Sequence, residues 1–339
     1  MMSAPPAIFL EHVSKMYSRG YAAVSDLSLA IEPGEVLVLV GTSGSGKTTT
    51  MKMINRLVEP TSGTIRIGGR DIREIDPIQL RRSIGYVIQE IGLFPHMTVA
   101  KNIALVPSLK GWPKARQAER VAGLLELVGL PSGEYADKHP HQLSGGQKQR
   151  VGVARALAGD PDILLMDEPF GSLDPITRGQ LHDEFLKLQG RLRKTVVFVT
   201  HDMLEAIRLA DRMAVIDAGH LLQVGTPREI LAHPAALKVA DLVGADVTFK
   251  LLAVCSVEQA LEPLRDEPLE PKIPPIRSGD TLKDALLAMV AFGQPTLPVV
   301  NGGGILRGQI TLHGLQQVVA NQAQSHPVEE SKPSTASKA

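Results

Sequence analysis

One cysteine, Cys255, stands in 339 residues. That rules out an intrachain disulfide and with it the stapled secreted scaffolds; a lone thiol reads as buried and inert in a reducing compartment. Aromatic residues make up only 4% of the chain, and neither sign of charge is in excess, with 36 basic side chains against 36 acidic ones. The chain therefore lacks the basic field that nucleic-acid binding requires, and no nucleic-acid partner is expected. No apolar run approaches the roughly 20 residues needed to cross a bilayer. The most apolar stretches, such as Val36–Val40 and 163–166, have the length of strands. The N-terminal segment meets Glu11 and Lys15 before any long apolar run develops, so no secretory leader is expected. These absences place the chain in the cytosol and assign any pore to another chain. What remains is ordinary globular composition, 43% hydrophobic and 21% charged, at a length that suggests a large domain followed by a smaller one.

The apolar stretch 35–40 reads as a buried strand, followed by GTSGSGKTTTMKMINRL, a glycine-rich turn running into a helix. A second buried strand, 162–166, ends on Asp167 and Glu168, and a third, Thr195–Thr200, ends on His201. Polar residues at the ends of buried strands line the crevice of an open, largely parallel α/β sheet. Helical pattern covers 115–129, and 144–157 reads as a loop entering another helix.

Gly41, Thr42, Ser43, Gly44, Ser45, Gly46, Lys47 and Thr48 satisfy G-x-x-x-x-G-K-[ST], with Thr49 next in line. The glycines let backbone N–H groups curl around phosphates, and the following helix turns its positive end toward them. Lys47 reaches the outer phosphate oxygens and Thr48 offers a hydroxyl to Mg2+. Asp167 is expected to hold Mg2+, and Glu168 to polarise the attacking water, a base role that requires a carboxylate beyond the terminal phosphate.

Leu143-Ser144-Gly145-Gly146-Gln147, followed by KQRVGVARAL, resembles the signature of ABC ATPases. The resemblance covers about the first 240 residues and implies a nucleotide-binding domain of the phosphate-loop NTPase fold. It further implies ATP and Mg2+ as ligands and a head-to-tail homodimer with two ATPs at the interface. In that dimer Ser144, Gly145, Gly146 and Gln147 face the nucleotide of the opposite subunit. Residue by residue, the resemblance makes Tyr17 the ring that stacks on adenine, with Tyr21 as the alternative. Gln89 becomes the glutamine that touches Mg2+ and water and communicates with the membrane partner. Asp174 becomes the loop aspartate at the dimer interface, and His201 the histidine that contacts the γ-phosphate and braces Glu168. His96, His139, His141 and His220 read as structural or solvated, since no further ligands for a metal accompany them.

The wording VIQEIGLFPHMTVAKNI after the phosphate-loop helix, together with a C-terminal extension, is most similar to ATPases of glycine betaine, choline and carnitine importers. The alternative is an importer of another small solute such as a polar amino acid; a non-transport ABC ATPase fits less well, because a single phosphate loop and a single signature occur. Import implies a transmembrane permease, an extracytoplasmic solute-binding protein or domain, and a peripheral position on the cytoplasmic face of the membrane. Residues 276–320 resemble one CBS motif, a small α+β regulatory or dimerisation domain. The expected organisation is thus 1–240 for the ATPase, 241–275 for a proline- and charge-rich linker, 276–320 for the CBS-like domain and 321–339 for a disordered tail. In this reading 247–264 is either an eroded second motif or a connector.

Overall fold

The computed structural model describes residues 5–18, 20–89, 92–171, 173–244, 247–264 and 274–323. The chain divides into two compact units, Met1–Pro227 and Arg228–Ala339.

The first unit is built on two sheets. β1 (Ile8–Met16), β2 (Ala22–Ile31), β4 (Ser62–Ile67) and β5 (Arg70–Asp71) form an antiparallel sheet in the order β2-β1-β4-β5. β3 (Val36–Val40), β6 (Ile84–Val87), β7 (Ile163–Asp167), β8 (Thr195–Thr200), β9 (Arg212–Asp217) and β10 (His220–Gly225) form the second, in the order β10-β9-β3-β8-β7-β6. Five of these strands run parallel and only β10 is antiparallel to its neighbour. β3, β7 and β8 are buried at every position, which is why they read as unbroken apolar runs instead of alternating ones. Leu37, Leu39, Leu165, Val197 and Val199 pack with Met51, Met53 and Ile54 of the phosphate-loop helix and with the inner face of the antiparallel sheet. Phe170 and Phe185 each pack tilted against Phe198, with ring centroids 5.8 and 6.1 Å from it. Because the strands are parallel, the carboxyl ends of β3, β6, β7 and β8 emerge along one edge, and that edge carries the expected chemistry.

The expected helices are present as Lys114–Leu127 and Gly145–Leu157. The second unit carries a three-stranded sheet. β11 (Ile276–Arg277), helix Leu282–Phe292, β12 (Thr296–Val300), β13 (Leu306–Thr311) and helix Leu312–Ala323 follow one another, with β11 parallel and β13 antiparallel to the central β12.

Two expectations need correction. The division falls after Pro227, ahead of the boundary expected at residue 240. Much of the stretch 241–275 is folded rather than linker: helix Val247–Val254 and the 3-10 turn Val257–Ala260 belong to the second unit. Leu252, Cys255, Val257 and Ala260 are buried with Leu282, Leu297, Val299 and Ile310 in one core. Backbone bonds seal the join, from Val257 N–H to the Asp280 carbonyl and from Leu282 N–H to the Cys255 carbonyl, both 2.8 Å. The segment therefore packs into the same core as 276–320. Glu262 exchanges two backbone hydrogen bonds with Gln309 on the outer edge of β13, and its carboxylate accepts one from Thr311 at 2.7 Å. Of the proline- and charge-rich stretch, 265–273 lies outside the described residues. The tail expected from 321 onward begins inside a helix that runs to Ala323, and 324–339 lies outside the described residues.

Val257 has no exposed surface. Val257→Asp is expected to destabilise the second unit by more than about 3 kcal/mol, because it buries a carboxylate without a partner. Limited proteolysis of the full chain checks this: new cleavage beyond residue 228 is expected, whereas a linker residue would tolerate the change.

Candidate active site

The phosphate loop leaves β3 through Gly41 and enters helix Lys47–Ile54 through Gly46. Gly46 has φ 104°, and a Cβ there would come within 2.3 Å of the Ala23 carbonyl oxygen. Glycine is thus required by both backbone conformation and a close approach to β2. Gly44 also has positive φ, 77°, but open space surrounds its Cβ position. The Lys47 ammonium is folded onto the loop, donating to the Gly41 carbonyl at 2.9 Å, the Thr42 carbonyl at 2.7 Å and Ser45 Oγ at 3.3 Å. Burial lowers its pKa, and the negative charges of Glu168 and Asp167 oppose that effect. Thr42 itself is tied to Asp217 by a 3.3 Å hydroxyl–carboxylate bond.

The two carboxylates at the end of β7 occupy different environments. Asp167 is buried and accepts the Thr48 hydroxyl at 2.9 Å. Desolvation raises its pKa, while the Thr48 bond and the Lys52 charge act the other way. Glu168 has left the strand: its φ is 43°, in the left-handed region that side chains other than glycine seldom adopt, and its N–H donates to the Val199 carbonyl at 3.0 Å. Its Oε2 receives Gln89 Nε2 at 3.3 Å and lies 3.1 Å from His201 Nδ1. Glu168, Gln89 and His201, separated by as many as 112 positions in the chain, therefore meet at one oxygen atom.

Residues Ser43 to Thr49, Gln89, Glu168 and His201 line one cleft of about 520 Å³. Its remaining walls are Tyr21 and Ala23, neither of which the motif identifies. Tyr17, the ring preferred for adenine, is not part of this lining. The two tyrosines close one turn, Tyr17 N–H donating to the Tyr21 carbonyl at 2.8 Å, but only the Tyr21 hydroxyl reaches the phosphate loop, at the Gly44 carbonyl, 3.2 Å. Periodicity could not separate them because they sit on either side of the same hairpin end.

None of Ser144, Gly145, Gly146 and Gln147 lines the cleft. They open helix Gly145–Leu157, where Ser144 Oγ accepts from Gln147 N–H and Gln147 Oε1 accepts from Ser144 N–H, a reciprocal cap. Gln147 Nε2 also donates to the Tyr135 hydroxyl at 3.2 Å, a support with no signal in the motif. Asp174 caps helix Pro175–Leu192, accepting from Ile176 and Thr177 N–H at 3.1 and 3.0 Å, and hydrogen bonding to the Thr177 side chain, followed by these N–H groups, lowers its pKa. His139 and His141 stack with ring centroids 5.8 Å apart, and His96 lies edge-on to Phe94.

Among the described residues, no group of three or more His, Cys, Asp or Glu side chains is placed to hold a metal by itself. Thr48 and Asp167 supply a hydroxyl and a carboxylate side by side, an oxygen pair suited to a hard cation that brings most of its shell as water and phosphate. The pair fits Mg2+ arriving with a nucleotide.

The family described as "ABC transporter" matches residues 24–171. The chain is 49% identical to the "Choline transport ATP-binding protein OpuBA" of Bacillus subtilis, over 91% of this chain and 79% of that protein. The chain belongs to the ATP-binding subunits of ABC transporters. This ABC subunit is 50% identical, with the same coverage, to the "Glycine betaine/carnitine/choline transport ATP-binding protein OpuCA" of the same organism. To the "Glycine betaine uptake system ATP-binding protein YehX" of Escherichia coli it is 48% identical, over 90% of this chain and 97% of that one. Among solved structures, its fold resembles a dimeric bacterial ABC transporter cassette with TM-score 0.59 and 34% identity, over 65% of this chain and 98% of the other. A post-hydrolysis cassette bound to ADP and phosphate resembles it with TM-score 0.58 and 33% identity, over the same shares of the two chains. As a member of this family, the subunit is a nucleotide-binding ATPase that works with a membrane permease. Among the described residues, none of its helices is long and apolar enough to cross a membrane.

The two loop glycines offer a direct comparison. Gly46→Ala is expected to abolish nucleotide binding, because a methyl group cannot sit 2.3 Å from a backbone oxygen. Gly44→Ala meets open space and is expected to lose only the roughly 1–2 kcal/mol of left-handed strain. Titration with a fluorescent ATP analogue measures both.

Proposed function

We propose that this ATPase powers import of quaternary-ammonium osmoprotectants of the glycine betaine, choline and carnitine type through a separate permease. The observation that carries the substrate class is identity near 50% over about nine-tenths of this chain to proteins with those solutes in their names. The cleft does not select the solute, since its lining is phosphate-binding and hydrolytic throughout. Recognition of a quaternary ammonium group would rest with an extracytoplasmic binding protein or domain carrying an aromatic cage. The subunit itself would sit peripherally on the cytoplasmic face of the membrane, against its permease.

In the mechanism we propose, Lys47 and the loop amides hold the phosphates of ATP, and Thr48 and Asp167 hold Mg2+. When bound, Mg2+ supplies charge neutralisation to the terminal phosphate. Glu168 orients and polarises the attacking water, and its left-handed backbone turns the carboxylate out of the strand toward Gln89 and His201. Gln89 reports this state to the permease. The separation of Ser144–Gln147 from the cleft within one chain supports their use on a second copy's nucleotide, with Asp174 at the same interface. Tyr17 remains the adenine platform in this reading, since Tyr21 is engaged with the loop and the Tyr17 ring is exposed with Lys15 Nζ 5.2 Å from its centroid. The strand–helix–strand–strand–helix order of the second unit supports a CBS-like module that regulates or pairs two copies.

Glu168→Gln is expected to bind ATP normally and hydrolyse it about 10²- to 10⁴-fold more slowly. Uptake of radiolabelled glycine betaine, choline and carnitine into cells lacking the subunit should be restored by the intact chain and not by this variant. Restoration by the variant would remove Glu168 as the base, while uptake unaffected by loss of the subunit would point to another solute, such as a polar amino acid. Tyr17→Ala is expected to weaken ATP binding about tenfold, the scale of one base–aromatic stack. Tyr21→Ala should change it less, and the reverse order in calorimetric titration would transfer the adenine to Tyr21.

A further inference from the structure

Helix Pro175–Leu192 starts at the Asp174 cap, and helix Met203–Leu209 starts at the Asp202 cap, one residue beyond His201. Three polar contacts join them like rungs. Arg178 Nη1 lies 3.5 Å from Asp202, His182 Nε2 lies 2.8 Å from Glu205, and Arg208 Nη2 lies 2.6 Å from Asp183. Of the outer rungs, Arg208–Asp183 is exposed and Arg178–Asp202 is half-buried, and pairs open to solvent contribute little to stability. The middle rung differs: the side chains of His182 and Glu205 are 7% and 5% exposed. A buried polar pair of this kind is seldom worth more than apolar packing of equal volume, so its effect is better sought in geometry than in stability. A hydrogen bond fixes the axial position of one helix against the other, where apolar side chains would let it slide.

His182 also touches the other half of the site. Its ring lies edge-on to Phe170 at 5.2 Å, two residues beyond Glu168, and Phe170 packs against Phe198 of β8, the strand that leads to His201. The imidazole thus contacts both the segment leaving Glu168 and the helix following His201, whose side chains must stay 3.1 Å apart.

We infer that His182 is a positioning residue: through its bond to Glu205 and its contact with Phe170 it sets His201 against Glu168. This rests on the proposed role of His201. It also links the Asp174 loop to the same body, so a shift of one end moves the other.

ATP hydrolysis by the full chain tests the inference. His182→Leu is expected to lower kcat about tenfold with KM for ATP changed less than about twofold, the signature of misplaced groups rather than lost binding. His182→Gln, which keeps a donor for Glu205, should recover activity to within about threefold. Should His182→Leu fold poorly because Glu205 is left buried and unpaired, His182→Leu with Glu205→Leu removes both ends, and the same kcat loss is expected at normal melting temperature. The deciding comparison uses His201→Ala. Adding His182→Leu to it should cost less than about a further twofold, because the positioned group is already gone. Losses that multiply in full, or no recovery with glutamine, would overturn the inference while leaving the site reading intact. Normal turnover in His201→Ala alone would overturn the role of His201 and the inference with it.

Discussion

The central constraint is a strand with no exposed face. β3 is buried at all five positions, between β8 on one side and β9 on the other, with the phosphate-loop helix and the antiparallel sheet over one face. Such a strand has no freedom to shift register, because a one-residue slip would drive every side chain into the opposite layer. The loop that leaves it therefore begins at a fixed point, and Gly46 closes against the Ala23 carbonyl at an equally fixed one. The positions of the loop amides and the start of the following helix are set by this frame before any ligand is considered.

The same frame separates two adjacent carboxylates. Asp167 is still part of β7, buried and held by Thr48, whereas the left-handed turn at Glu168 points the next side chain along the sheet edge. One peptide bond divides a group suited to a cation from one suited to water. The backbone strain at Glu168 is sustained because its N–H is anchored to β8.

Much of this was legible in the sequence because it is local. The phosphate loop, the strand ending in Asp167 and Glu168, and the capped signature helix each lie within about a dozen consecutive residues, where glycine spacing and apolar runs carry the signal. Legibility failed where a choice depended on distant chain. Tyr17 and Tyr21 are equivalent by position until the hairpin end is seen to direct only Tyr21 to Gly44. Proline and charge around 262–275 hid the apolar set Leu252, Cys255, Val257 and Ala260, which becomes a core only when Leu282 and Leu297 close over it. His182 and Glu205 are unremarkable as separate residues and form a pair only because two helices descend from neighbouring strand ends.

The Glu262 bridge on β13 interrupts one edge of the second unit's sheet. One outer strand, β13, is bridged at Gln309 by its own chain through two backbone bonds, and the other, β11, is only two residues long. A three-stranded sheet would ordinarily present two open rows of amides and carbonyls, inviting unlimited addition of further strands. Here one edge is interrupted at Gln309 and the other is two residues long, so among the described residues neither edge offers a long, uninterrupted template for a further strand.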